Sequence, residues 1–253
     1  MRITLLGTGT SQGVPVIACK CNVCRSTNPK DKRSRSSVMI NVDNQVIVID
    51  TGPDFRNQML NNNVNDIDSI IYTHEHKDHV AGLDDVRAFN QKWKKPINIY
   101  LSKQVSKAIK REYHYIFVEK RYPGIPEINL KIIDNNSFFI GDTKIIPIQA
   151  LHYKLPVFGF RIKNFVYLTD VSYISEEEKL KIYGADLLVL DSLRRKPHLS
   201  HFNLQQSIEL INQVSPKKSL LTHISHYMGL HDELVEELPF NINPGYDGQV
   251  IDL

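Results

Sequence analysis

The stretch THEHKDHVAGLDD, residues 73–85, places His74, His76, Asp78 and His79 within six consecutive positions. It follows DSIIYT, residues 68–73, an apolar run that reads as a strand, and precedes a helical pattern over Ala81–Lys92. In extended chain, residues two apart point to the same side, so His74 and His76 face one point. Asp78 and His79 follow at once, and a tight loop can present all four around a common centre. Imidazole and carboxylate suit zinc, manganese or iron, and two nearby groups of them suit a pair of cations. A solvated polar loop would explain a single histidine. His-x-His-x-Asp-His directly after an apolar strand argues against it.

A dinuclear centre needs more donors than this loop supplies. His152 follows TKIIPIQAL, Asp170 ends FVYLTD and His223 ends SLLTH. Each sits at the C-terminal end of an apolar run, where side chains from separate strands converge on one sheet edge. Alone, each reads as a surface or hydrogen-bonded residue; beside the loop motif they become candidates.

The 253 residues are 42% hydrophobic, enough for a sizeable core, and carry a formal charge of +3. The basic residues are scattered, which points to a solvated face and not to a polyanionic partner. No apolar run approaches the roughly 18 residues needed to span a bilayer. The N-terminus MRITLLGTGT reads as a strand and a turn, so a cytoplasmic protein is expected. Short β-rich runs (RITLLG, SVMINV, QVIVID, DSIIYT, INIYL, TKIIPIQ, VFGFRI, FVYLT, DLLVL, SLLTH) dominate the chain. Further helical patterns cover Ser102–Val118, Ser175–Tyr183, Leu204–Val214 and His231–Leu238. Asn203 is placed to cap the helix at 204, and Ser175 with Glu178 has capping-box spacing. Strands and helices cluster unevenly, so an α/β domain of two mixed sheets flanked by helices fits better than a doubly wound sheet.

GTGTSQG after the first strand spaces Gly7, Gly9 and Gly13 one residue too far for a dinucleotide fingerprint, and VPVIACKC follows where a helix should begin. That site is rejected. Ser11 and Gln12 are candidates for substrate contact, against a plain tight turn.

Cys19, Cys21 and Cys24 crowd into six positions, a spacing that suits a metal clip better than a disulfide framework. Three thiolates leave a tetrahedral zinc shell open. His226, three positions after His223, is the candidate fourth ligand; the closed site would pin the connection at about 14–36 to the C-terminal region. A nucleic-acid-reading finger would need a second ligand pair and a following basic helix, which are missing.

Taken in order, LLGTGTSQGVP, VIVIDTGPDFR, THEHKDHVAGLDD, LHY, YLTDVS, LDSLRRKPHLSHFNLQQSIELI and LTHISH make the sequence resemble the metallo-β-lactamase superfamily of binuclear metal hydrolases over nearly its whole length. CKCNVC combined with THISH resembles in particular the PhnP-like phosphodiesterase branch, which acts on a cyclic ribose phosphate. The resemblance implies an αββα four-layer sandwich as a single domain over 1–253. By motif it assigns His74, His76 and His152 to one metal, Asp78, His79 and His223 to the other, and Asp170 as the bridge. Asp50 would orient a ligand histidine from behind, against the alternative of a turn carboxylate. His201 in HLSHFN would be the general acid, with His198 the competing candidate read as a loop histidine. Two divalent cations, manganese or zinc and in some members iron, join one structural zinc.

Two such cations, two carboxylates and a bridging hydroxide sum to about +1, which complements a phosphodiester monoanion. The expected activity is therefore hydrolysis of a small, cyclic or acyclic phosphodiester by the bridging hydroxide, with Asp78 and His201 central to the chemistry. The second enzyme reading is an acyl hydrolase, a lactonase or thioesterase, on the same core. Ribonuclease Z shares that core, but no glycine-rich basic arm is present for long RNA. An oxygen-reducing di-iron protein would need a carboxylate in place of His76. From another class, a non-catalytic zinc-binding module would use the cysteine site alone. The resemblance also suggests a homodimer.

Overall fold

The computed structural model describes residues 1–119 and 123–253. Six strands, β1 (Arg2–Gly7), β2 (Ser37–Val42), β3 (Gln45–Ile49), β4 (Ser69–Ile71), β5 (Ile97–Ser102) and β6 (Ile128–Ile133), form one sheet in sequence order. The next seven build a second sheet: β7 (Phe138–Ile140), β8 (Thr143–His152), β9 (Leu155–Ile162), β10 (Phe165–Leu168), β11 (Leu187–Asp191), β12 (Lys218–Thr222) and β13 (Ile242–Pro244). The last strand, β14 (Val250–Asp252), returns to pair antiparallel with β1. Both sheets are mixed: β3 to β6 run parallel, as do β10 to β13, while the remaining neighbours are antiparallel.

Alternation in the strands explains why the sheets face each other. Along β10, Phe165 and Tyr167 enter the core between the sheets, whereas Val166 and Leu168 enter the core beneath the helices. Similarly, Ile71 of β4 faces the partner sheet and Ile70 faces outward to helices. Strands buried on both faces read as continuous apolar runs, and that is how they stood out in the sequence.

The described residues contain eight α-helices: α1 (Asn22–Arg25), α2 (Phe55–Asn61), α3 (Lys77–Val80), α4 (Arg87–Trp93), α5 (Lys103–Glu112), α6 (Glu176–Lys179), α7 (Leu204–Val214) and α8 (His231–Glu237). Phe55, Met59, Phe89, Val105 and Ile109 bring α2, α4 and α5 onto the first sheet. Leu210, Ile211, Val214 and Leu234 bring α7 and α8 onto the second. The order of layers is helix, sheet, sheet, helix, the four-layer sandwich expected.

Several boundaries differ from the pattern reading. The helix expected over 81–92 splits into a 3₁₀ turn at Leu83–Val86 and α4, because Gly82 must hug the neighbouring loop instead of extending a helix. The 102–118 pattern ends as α5 and a 3₁₀ turn at His114–Ile116, and the 175–183 pattern shortens to α6. Ser175 does accept from the Glu178 N–H, but the Glu178 carboxylate leaves the cap to bind Gln149 N at 2.7 Å. At α7 the full capping box forms, with Asn203 and Gln206 bonding reciprocally.

Candidate metal centre

Parallel strands deliver the donors at their C-terminal ends, the edge where open α/β sheets place their sites. Asp50 follows β3, the histidine loop follows β4, Asp170 follows β10 by two residues, Asp191 ends β11 and His223 follows β12. Asp50, Asp170 and His223 turn through left-handed backbone, with φ of 65°, 57° and 56°. Aspartate and histidine tolerate that region better than most residues. Two glycines let the loops touch: a β-carbon on Gly52 would lie 2.2 Å from the Asp78 carbonyl oxygen, and one on Gly82 would lie 2.3 Å from that of Gly52.

The sequence candidates come together. Ligand-capable atoms of His74, His76 and His152 lie within 4.8 Å of one another, as do those of Asp78, His79, Asp170 and His223. His79 Nε2 is 3.2 Å from Asp78 Oδ2 and 3.1 Å from Asp170 Oδ2; His223 Nε2 is 3.3 Å from Asp170 Oδ1. Asp170 thus contacts both histidines of its group and also clusters with His152 and His201.

Behind these atoms, hydrogen bonds set the tautomers. Asp50 accepts from His79 Nδ1 at 2.7 Å and from the Thr73 N–H and hydroxyl at 2.9 and 2.8 Å. The Thr73 proton being committed to Asp50, its oxygen accepts from His74 Nδ1 at 3.0 Å. His152 Nδ1 donates to the Ser200 carbonyl at 2.7 Å. Each ring therefore carries its proton on Nδ1 and turns an Nε2 lone pair to the centre. Nε2 of His74, His79 and His223 is buried with no hydrogen-bond partner. Such atoms are costly unless something coordinates them, so the donor set fits metal ions.

The same carboxylates favour positive charge at this point, whether carried by a proton on His79 or by a metal ion. Burial works to depress His79, yet Asp170, Asp78 and Asp50 hold it well above the ordinary histidine range. Burial works against an ionised Asp170, yet His223 and His79 hold it well below the carboxylate range. His74 is pushed well down by burial and by His79. A buried carboxylate cluster of this kind demands cations.

Asp191 is the residue that motif reasoning passed over. Its Oδ2 accepts from His201 Nδ1 at 3.0 Å and from the Val171 N–H at 2.9 Å. Burial would lower His201, but Asp191 raises it to about 9. The signal was available: LVLD is one more apolar run ending in a carboxylate, like VIVID and YLTD. His201 itself is fixed by Phe202, whose N–H bonds Val171 O at 2.7 Å and whose carbonyl accepts from Leu193 N at 3.0 Å. Its ring stacks on His223 at 4.7 Å. His198 sits outside, its Nδ1 accepting from Ser200 N at 3.3 Å, as a loop histidine would.

The three cysteines gather around His226, whose Nδ1 is 3.3, 3.4 and 3.5 Å from the sulfurs of Cys19, Cys21 and Cys24. A tetrahedral zinc with bonds of about 2.3 Å to sulfur and about 2.0 Å to nitrogen has N···S edges of about 3.5 Å. The donor atoms fit that ion. The Cys24 N–H holds the Cys21 thiol down at about 6, whereas burial lifts Cys24 to about 11. The glycine loop is sewn in nearby: Gly9 N donates to Ser34 O at 2.7 Å and Thr10 N to Ile224 O at 3.2 Å, so these amides are not left for a phosphate.

A four-layer sandwich with histidines and carboxylates converging at the strand ends defines a metallo-hydrolase of the metallo-β-lactamase fold. The chain belongs to the β-lactamase superfamily: a family model described as a beta-lactamase superfamily domain matches residues 45–224. A crystal structure described as a new diphosphatase from the PhnP family superposes with a TM-score of 0.93 at 35% identity, covering 100% of this chain and 97% of that one. An octanoyltransferase of Porphyromonas gingivalis is 40% identical over 251 residues, 98% of this chain and 51% of that protein. A ribonuclease Z of Nanoarchaeum equitans is 26% identical over 217 residues, 84% of this chain and 62% of that protein. The chain thus spans about half to two thirds of the length of these two curated relatives.

Proposed function

We propose that the chain is a phosphodiesterase for small phosphodiesters, working as one domain over residues 1–253 with a zinc clip at about 14–36. The observation that carries this reading is His201, whose Nδ1 lies 3.0 Å from Asp191 Oδ2 beside two groups of donors that could each hold a cation. His74, His76 and His152 would hold one ion, Asp78, His79 and His223 the other, with Asp170 shared; Cys19, Cys21, Cys24 and His226 would hold the structural zinc. Two divalent ions held there, manganese or zinc and in some settings iron, would supply Lewis acidity and a water acidic enough to ionise near neutral pH.

The chain's own residues do the rest. Asp50 fixes the His79 ring, and Ser200 fixes the His152 ring. Asp191 accepts a hydrogen bond from Nδ1–H of His201, so the Nε2 proton is the one available to a departing alkoxide. No residue beyond the metal ligands is needed as a base for the attacking water. The PhnP-family diphosphatase and the ribonuclease Z relative both cleave phosphate linkages by name, in keeping with this chemistry. Among the described residues no helix is long and apolar enough to cross a membrane; a cytoplasmic location is in keeping with three cysteines whose spacing suits a metal clip better than disulfides.

Acyl hydrolysis is the second reading, favoured by the likeness to the octanoyltransferase. One panel decides: bis(p-nitrophenyl) phosphate, a cyclic phosphodiester, a lactone and a thioester, after chelation and return of manganese or zinc. Metal-restored turnover of the diesters alone, abolished in Asp170→Ala, is the expected result. Turnover of the acyl substrates alone would replace the phosphodiesterase reading with the second one.

A further inference from the structure

At the metal centre left-handed backbone belongs to Asp50, Asp170 and His223, but Tyr153, next to His152, shares the geometry with a φ of 57°. It opens the two-residue turn between β8 and β9, where a β-carbon is disfavoured and glycine is usual. The hairpin at 43–44 meets the same demand with Asp43 and Asn44. A tyrosine there is not explained by core packing, because it is 48% exposed.

Its position relative to the site is defined. The preceding residue, His152, is bonded through Nδ1 to the Ser200 carbonyl, which brings the hairpin tip against the 198–201 loop. On that loop Leu199 is 70% exposed. His152 and His201 themselves meet with ring centroids 4.5 Å apart. Two exposed apolar side chains are therefore carried on the two segments that join at the metal-binding and proton-donating histidines. The Lys154 ammonium lies 5.3 Å from the Tyr153 ring centroid, a contact that orders a ring without burying it.

We propose that Tyr153, on the hairpin that meets the loop carrying Leu199, is a specificity-determining residue that stacks on a planar ring, a nucleobase or aryl group, carried by the non-leaving arm of the phosphodiester. This rests on the phosphodiesterase reading. Aromatic stacking on a base is sequence-tolerant and strong enough to change kcat/KM by roughly tenfold or more.

The test uses two esters with one leaving group: thymidine 5′-(p-nitrophenyl phosphate) and methyl p-nitrophenyl phosphate, with the metal-reconstituted full chain. In Tyr153→Gly the preference for the thymidine ester should fall about tenfold, chiefly through KM, with a Tm no lower than that of the parent. Tyr153→Phe should keep the preference. An unchanged preference in Tyr153→Gly overturns the inference while leaving the phosphodiesterase intact. A lowered Tm with equal loss on both esters makes Tyr153 a structural residue and also overturns it. No turnover of either ester by the parent protein defeats the phosphodiesterase reading and this inference together.

Discussion

Asp191 Oδ2 and His201 Nδ1 lie 3.0 Å apart at the end of β11, in a pair shielded from solvent. The carboxylate keeps the imidazole charged against the pull of burial, so His201 stays protonated through neutral pH and up to about 9. A general acid works only while protonated, so activity falls as pH rises through its pKa. In Asp191→Asn the burial effect is unopposed, and the alkaline limb of the kcat/KM profile should move to lower pH. A limb that stays in place would remove Asp191 from this role.

His201→Ala should reduce turnover of alkyl diesters by about 10²–10⁴-fold, the usual contribution of a positioned acid, while losing far less on p-nitrophenyl esters. The leaving group decides the difference, since p-nitrophenolate departs without a proton. Metal content measured on the same samples should equal that of the parent. Equal losses on both ester classes would count against proton donation.

Asp50→Ala leaves His79 Nδ1 without its acceptor, and Thr73 without two of its bonds. Metal affinity at the centre should weaken by about 10–100-fold, as for other carboxylates that orient metal-binding histidines. Titration with zinc against a competing chelator reads this directly; an unchanged affinity would make Asp50 a turn residue only.

Cys21→Ser should remove one bound zinc per chain and leave the other metals in place. Loss of a ligand present at 100 times its Kd lowers stability by about 3 kcal/mol, which a denaturant titration resolves. The clip ties the segment before α1 to His226, so the destabilisation should be accompanied by faster proteolysis within residues 14–36. Full zinc content in the variant would contradict the four-ligand site.

His231 accepts from the Arg33 guanidinium at 3.4 Å and is buried, and burial followed by the charge of Arg33 lowers it from 6.5 to about 4. Between those values the unfolded chain takes up the proton and the folded chain does not. This contribution to stability is therefore complete above about 6.5 and is lost as pH falls toward 4. His231→Gln should flatten that part of the stability–pH curve, measured as Tm from pH 7 to 4.

Much of the molecule is local in origin and was legible as such. Strands such as FVYL and LLVLD announce themselves because both faces are buried and nearly every residue is apolar. Asn203 and Gln206 announce the start of α7 because a cap needs only neighbours in sequence. The His-x-His-x-Asp-His loop and the cysteine spacing are equally compact, so short-range geometry fixed which donors could share a centre. By contrast, α2 is written in the Asn-rich stretch FRNQMLN and exists because Phe55 and Met59 bury against the first sheet. Edge strands β6 and β7, which pair with one neighbour and leave residues such as Ile132 and Phe139 exposed, lack the two-faced signal. Tertiary structure alone decided that Asp191 reaches His201, that the Ser200 carbonyl orients His152, and that the hairpin carrying Tyr153 meets the loop carrying Leu199. Those relations join residues brought together by sheet order and loop closure, and no periodicity along the chain encodes a distance between separate strand ends.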